Sequence, residues 1–189
     1  MRSLTYFVAV SLDGFIAAEG GRFDMFSMEG DHIDALFAEW PETLPAPALA
    51  AAGIAPGCAR FDTVLMGWDT FAVGLAHGLQ NPYPHLRQVV CSRTRGEAEA
   101  GNAVELCRDP TARVRSLKAE PGEPGIWLCG GGRLASALSS EIDALVLKVS
   151  PVTLGAGIPL FAEPSALRWT LEGSRSFRSG VVFQHYRRA

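Results

Sequence analysis

The 189-residue sequence has only four cysteines, Cys58, Cys91, Cys107 and Cys129. None forms a C-x-x-C pair, and no histidine stands at zinc-finger spacing from them, which argues against a zinc ribbon or a disulfide scaffold. Cys91 and Cys129 end apolar runs and read as buried free thiols. Positive charge is scarce too. The formal net charge is −3, so a broad nucleic-acid footprint is excluded; Arg93 with Arg95, and Arg187 with Arg188, are local clusters only. No apolar run approaches the ~20 residues of a membrane helix. The chain opens directly on a strand-like run, Leu4 to Leu12, instead of a basic segment followed by a cleavage site. The reading is a cytoplasmic protein with neither membrane nor nucleic acid as partner. What is present, 48% hydrophobic and 20% charged residues, suits one globular domain over residues 1–189.

Apolar runs set the element order. Leu4 to Ser11, Thr63 to Gly67, Arg87 to Ser92, Val104 to Leu106, Gly125 to Cys129 and Asp143 to Ser150 read as strands, rich in β-branched and aromatic residues. Helices are expected from His32 to about Trp40 behind an Asp31 cap, over Ala46 to Ala55, and behind Asp69 or Thr70. Two more are expected from Pro110 to about Lys118 behind Asp109, and from Arg133 to about Ser139. Two closing strands, Leu167 to Glu172 and Val181 to Tyr186, are expected to flank a loop through Gly173 and Gly180. Strand–helix alternation that ends in strands predicts an α/β fold with a mostly parallel sheet and antiparallel edges.

The sharpest local feature is a strand, three glycines and a helix: Ile126 to Cys129, Gly130-Gly131-Gly132, then Arg133-Leu134-Ala135. Glycine admits close backbone approach, and a helix start offers unpaired N–H groups to a phosphate. The G-x-G-x-x-A spacing matches a dinucleotide fingerprint. Yet the next strand ends in Lys148-Val149-Ser150-Pro151, without the acid that a standard Rossmann unit uses to hold ribose. A tight turn without a ligand fits the glycines equally well. Two further strand ends carry small, hydroxylic or basic residues: Gly67-Trp68-Asp69-Thr70, and Ser92-Arg93-Thr94. Ligands of open α/β sheets bind outside such ends.

Four segments carry a family resemblance. They are Val8 to Ala17, Val64 to Phe71, Gly130 to Ala135, and Val149 to Phe161, which runs Ser-Pro-Val-Thr-Leu-Gly-Ala-Gly-Ile-Pro-Leu-Phe from Ser150. In this order and across nearly the whole chain, they resemble the dihydrofolate reductase superfamily, in the branch of the riboflavin-biosynthesis reductases. The resemblance implies a three-layer fold of about eight strands with helices on both faces, and a homodimer built on Val152–Phe161 and the C-terminal strands. It implies NADPH across the strand ends. Ala9, Ile16 and Ala17 would line the nicotinamide. Gly67, Thr70, Ser92, Arg93, Gly130, Gly131, Gly132, Arg133 and Leu134 would hold phosphates and adenosine.

Trp68 departs from the family pattern, because it stands where an arginine contacts the cofactor's 2′-phosphate. Either Arg93 compensates, Trp68 stacks on adenine, or NADH replaces NADPH. Hydride transfer also requires a proton source. Asp24, among Phe23, Met25 and Phe26, is one candidate, with a surface loop acid as its alternative. Asp13 is another, with a simple Asp13-Gly14 turn as its alternative. The expected substrate is a small heterocycle, pterin- or pyrimidine-like, of which 5-amino-6-(5-phosphoribosylamino)uracil is one example. The riboflavin intermediate's phosphate calls for basic residues, and Arg60 is the one near the Asp31–Gly57 region. A protein that keeps the fold as an inactive nucleotide-binding or dimeric scaffold is the rival reading.

Overall fold

A computed structural model describes residues 1–163 and 166–189. The strands are β1 (Leu4–Ser11), β2 (Phe15–Ala17), β3 (Phe61–Gly67), β4 (Arg87–Cys91), β5 (Glu105–Cys107), β6 (Gly125–Gly130), β7 (Ala144–Ser150), β8 (Ile158–Pro159), β9 (Trp169–Ser176) and β10 (Val182–Arg188). The helices are α1 (Asp31–Glu39), α2 (Ala46–Ala52), α3 (Trp68–Ala76), α4 (Glu97–Ala100), α5 (Pro110–Ala119) and α6 (Gly132–Ala137). Eight strands form one sheet in the order β5-β4-β3-β6-β1-β7-β10-β9. The six from β5 to β7 run parallel, and β10 and β9 close the edge antiparallel. β2 and β8 make a separate antiparallel pair.

Helices cover both faces, and this is why the central strands are continuous apolar runs and do not alternate. On one face, Ala35 and Leu36 of α1, Trp40 just after it, and Phe71 of α3 pack on Phe7, Val64, Met66, Trp127, Val146 and Phe183. On the other, Val114 and Leu117 of α5 and Ala135 of α6 pack on Leu4, Tyr6, Leu65, Val89, Ile126 and Leu128. The Asp109 cap forms as expected: its carboxylate accepts from the Ala112 amide at 3.0 Å, with Pro110 in the first helical position.

Two expectations are corrected. Asp31 does not cap α1. Gly30 holds the cap position, and the Asp31 carboxylate turns to accept the amides of Arg178 and Ser179 at 2.8 and 3.1 Å. Gly173 does not lie in a loop but inside β9, opposite His185 and beside the register shift at His185/Tyr186. Edge strands tolerate glycine at such an irregularity. Among the described residues, no helix is long and apolar enough to cross a membrane.

Candidate functional site

All six parallel strands end on the same side of the sheet, and two of these ends meet. Gly67 closes β3 and occupies the cap position of α3 with no side-chain cap, so the first amides of that helix lack a side-chain acceptor. β6 ends at Gly130, whose φ of +152° is open only to glycine, and the Gly130–Gly131 peptide is cis. A Cβ on Gly67 would stand 3.8 Å from both the Gly130 oxygen and the Gly131 nitrogen. A Cβ on Gly130 or Gly131 would meet the Thr70 Oγ1 at 3.5 or 3.8 Å. Gly67, Thr70, Gly130 and Gly131 thus form one shallow cradle of backbone and a single hydroxyl.

Gly132 has a different job from its two neighbours. It is buried, and a Cβ there would overlap the Pro159 carbonyl, because the chain from Pro151 to Ala162 folds back over the turn. The Ala162 amide donates to the Gly132 oxygen at 3.2 Å. Arg133 points to solvent, and Leu134 packs into the core of the second face. The returning segment also pairs β8 with β2, and Gly157 lets it pass over the Ala17 carbonyl.

Asp13 fastens the same segment. Its carboxylate accepts the Ser11 hydroxyl at 2.5 Å and the amides of Leu154 and Gly155 at 3.0 and 2.7 Å. The Ser11 bond first, then the Gly155 amide, hold its carboxyl down at about 2. It is therefore ionised at neutral pH and is no proton donor. Because the folded value lies below the usual carboxylate value of about 3.9, ionisation favours this closed loop. The contribution is complete above the unfolded value and is lost as pH falls towards 2. Protection of the Leu154 and Gly155 amides from exchange, taken relative to free-peptide rates at the same pH, is expected to fall in Asp13→Ala at pH 7, and in the parent protein only as pH falls below about 4. Equal protection in parent and variant at neutral pH would show that the carboxylate does not hold the loop.

The outer end of the cradle is basic and aromatic. The Ser92 hydroxyl accepts the amides of Thr94 and Arg95 at 3.3 and 3.0 Å, shaping the turn after β4. Arg93 is exposed. It is Arg95 that reaches Trp68, with its guanidinium carbon 5.2 Å from the ring centroid. Glu99 braces Arg95 at 2.7 Å, and Arg108 donates to the Ser92 carbonyl at 3.0 Å. Arg95, and not Arg93, is thus the cation beside Trp68. Sequence reasoning missed it because side-chain reach across a turn is not a spacing signal.

Between α1 and α3 the sheet stays open. Phe7, Trp127 and Val146 are buried, yet two residues further along their strands Ala9, Cys129 and Lys148 are only half-buried. Residues two apart share a face, so solvent reaches the ends of β1, β6 and β7 through a cleft. Ala9 is the register partner of Lys148. Tyr83 lies in the cleft wall, its ring edge-on to Trp127 at 5.1 Å. Burial pushes the Cys129 thiol up to about 12 and the Lys148 amine down to about 8. Ile16 and Ala17 lie in β2 at the loop that borders these ends.

Other expected residues lie apart from the cleft. Asp24 is not enclosed: its side chain is 70% exposed beside Arg22, and Phe23 and Met25 are exposed as well. Only Phe26 of that loop turns inward. With Phe26 as its one buried anchor, the loop leaves the Asp24 side chain open to water. Arg60 precedes β3, at the opposite end of the sheet from Gly67, with its guanidinium carbon 4.3 Å from the Trp40 ring centroid. All four cysteines are free thiols.

Comparison with known proteins agrees with this architecture. A solved structure from Shewanella sp. PV-4, a protein named for riboflavin biosynthesis, superposes with a TM-score of 0.68 at 25% identity, covering 100% of this chain and 99% of its own. The uncharacterized protein YwjB of Bacillus subtilis (strain 168) is 29% identical over 194 residues, covering 100% of this chain and 99% of YwjB. The uncharacterized protein YyaP of the same organism is 28% identical over 189 residues, covering 93% and 89%. The RibD C-terminal domain family matches residues 2–183. With its eight-stranded sheet and glycine-floored strand ends, the chain belongs to the RibD C-terminal domain family.

Proposed function

We propose that this protein is an NADPH-dependent reductase of a small planar heterocycle. The observation that carries the reading is the convergence of Gly67, Thr70, Gly130 and Gly131 at the ends of β3 and β6. A side chain at Gly67, Gly130 or Gly131 would fill that cradle, and its donors are backbone amides and a hydroxyl, the chemistry that suits a pyrophosphate. Ser92, Arg93, Arg95 and Trp68 would take the adenosine end, with the ring stacking and Arg95 facing the 2′-phosphate. Ala9, Ile16 and Ala17 would border the nicotinamide. NADPH, when bound, supplies a hydride. The protein's part is to position the partners and keep water out. Asp13 serves that end by pinning the 151–157 loop over the strand ends. The Shewanella relative's name suggests a substrate like a riboflavin intermediate; Arg60 lies too far down the sheet to meet its phosphate, so an unphosphorylated pterin- or pyrimidine-like ring fits this cleft better.

Fluorescence titration tests the reading. NADPH is expected to quench tryptophan emission, and Arg95→Ala to weaken NADPH about tenfold while leaving NADH unchanged, as befits one charge-assisted contact to phosphate. No binding of either nucleotide near millimolar concentration would sink it. A second reading, a nucleotide-binding protein without turnover, draws on one observation: neither Asp13, which is ionised, nor Asp24, which is exposed, is placed as a proton donor. It predicts NADPH binding with no oxidation against any pterin or pyrimidine acceptor.

A further inference from the structure

The chain carries 17 basic residues, and only two of them, Lys118 and Lys148, are lysines. Lys118 is fully engaged: its amine sits 2.7 Å from the Asp143 carboxylate and 2.6 Å from the Glu141 carbonyl. Lys148 is the opposite case. It interrupts the apolar run Leu145-Val146-Leu147-Lys148-Val149 on a central strand. Its amine lies 4.7 Å from the centroid of the Phe7 ring, and among the described residues no carboxylate pairs with it. A cation–π contact offsets only part of the cost of removing an ammonium from water. A lone cation kept at such a place marks a function more often than a structural need.

The surroundings define what it can meet. β1 presents Phe7 and Ala9, and β10 presents Phe183, the register partner of Lys148. The titratable groups facing the amine are Cys129 from β6 and, beyond it, Tyr83 from the loop before β4. The nearest cations on the neighbouring edge are occupied: Arg175 of β9 is ion-paired with Glu39, and Arg178 stands 3.6 Å from Asp31. His185, two residues along β10, lies against Trp40. Among the described residues, Lys148 is therefore the one cation of this apolar, aromatic cleft floor without a carboxylate partner.

We infer that Lys148 meets the reducible carbonyl or imine of a planar, uncharged heterocycle and gives it the proton that accompanies reduction. The inference rests on the reductase reading above. NADPH, if bound, would supply a hydride to the substrate carbon; the π pair would move to oxygen or nitrogen, and that atom would take a proton from Nζ. A neutral amine would be left, the hydride donor would leave oxidised, and solvent would restore the ammonium. An amine that burial holds near 8 is matched to this exchange at neutral pH. It also supplies the acid that Asp13 and Asp24 do not.

The two-lysine composition gives a direct test. In protein labelled with 13C,15N-lysine and no nucleotide, one of the two lysine Cε resonances should titrate near pH 8 and vanish in Lys148→Met. Lumazine, a neutral pteridine, should shift the Lys148 resonance, and Lys148→Met should bind it at least tenfold more weakly. The same variant should keep or raise the Tm, because an apolar isostere removes a half-buried charge that has no carboxylate partner, whereas loss of a structural lysine would lower it. A Lys148 titration at the ordinary lysine value, or a resonance that lumazine leaves unmoved, overturns the inference. Failure of NADPH to bind sinks the cofactor reading separately, and the lysine titration and lumazine shift are measured without it.

Discussion

Gly132→Ala is expected to cost the protein about 3 kcal/mol, the upper end of what overpacking usually costs, and to loosen the cradle with it. The added methyl would overlap the Pro159 carbonyl, which is backbone, while the Ala162 amide beside it stays in ordinary contact. A flexible side chain could swing aside; a backbone carbonyl in a paired segment cannot. To make room, the 158–162 stretch must leave the turn, and the β2–β8 pair, the Leu160 amide bond to Gly14 and the Tyr6 hydroxyl bond to Leu160 leave with it. Urea denaturation reads the stability loss. Gly131→Ala is the control. There a Cβ meets nothing closer than the Thr70 hydroxyl at 3.8 Å, and the residue has negative φ. This variant should fold with ordinary stability yet bind NADPH poorly, because its methyl stands in the cradle. If Gly132→Ala is as stable as the parent, the segment does not rest on the glycine turn as described.

The contrast between these adjacent glycines marks how far sequence reading reached. The strand-glycine-helix pattern located the turn, and the strand ends at Gly67 and Ser92 pointed to the same side of the sheet. What it could not separate was a glycine that leaves room for a ligand from one that leaves room for the chain's own backbone. Both are small residues in one run, and only the return of Pro151–Ala162 tells them apart. Lys148 shows the same limit. Lys148 is a charge in a run of Leu and Val, yet its meaning comes from β1, which lies between β6 and β7, pairs Ala9 with Lys148 and brings Cys129 to face the amine. That adjacency joins residues more than a hundred positions apart and has no local signature. The acids Asp13 and Asp24 failed for a related reason. Residue type nominates a proton donor, but the fold decides what it faces: Asp13 is committed to the amides of Leu154 and Gly155, and Asp24 is exposed beside Arg22.

The other end of the sheet should behave in the reverse way. Arg2, with a side chain 3% exposed, joins the starts of β1 and β3 to the loop before β6. It contacts the Asp62 carboxylate, the Thr63 hydroxyl at 3.1 Å, the Pro124 carbonyl at 2.9 Å and, more distantly, Glu120. Breaking a fully buried ion pair costs roughly 3–5 kcal/mol, because the remaining charge is stranded. Here the carboxylates of Asp62 and Glu120 are each 36% exposed, so water can reach them once the guanidinium is gone. The discounted expectation for Arg2→Ala is about 2 kcal/mol, or a fall in Tm of about 6 °C for a chain of this size. Differential scanning calorimetry measures it. NADPH affinity should be untouched, since the parallel strands carry their cradle at the far ends from Arg2. A variant that keeps its Tm would mean the network adds nothing to folding. One that keeps its Tm but loses nucleotide would place the ligand at the wrong end of the sheet, and the cradle of Gly67, Thr70, Gly130 and Gly131 would need another explanation.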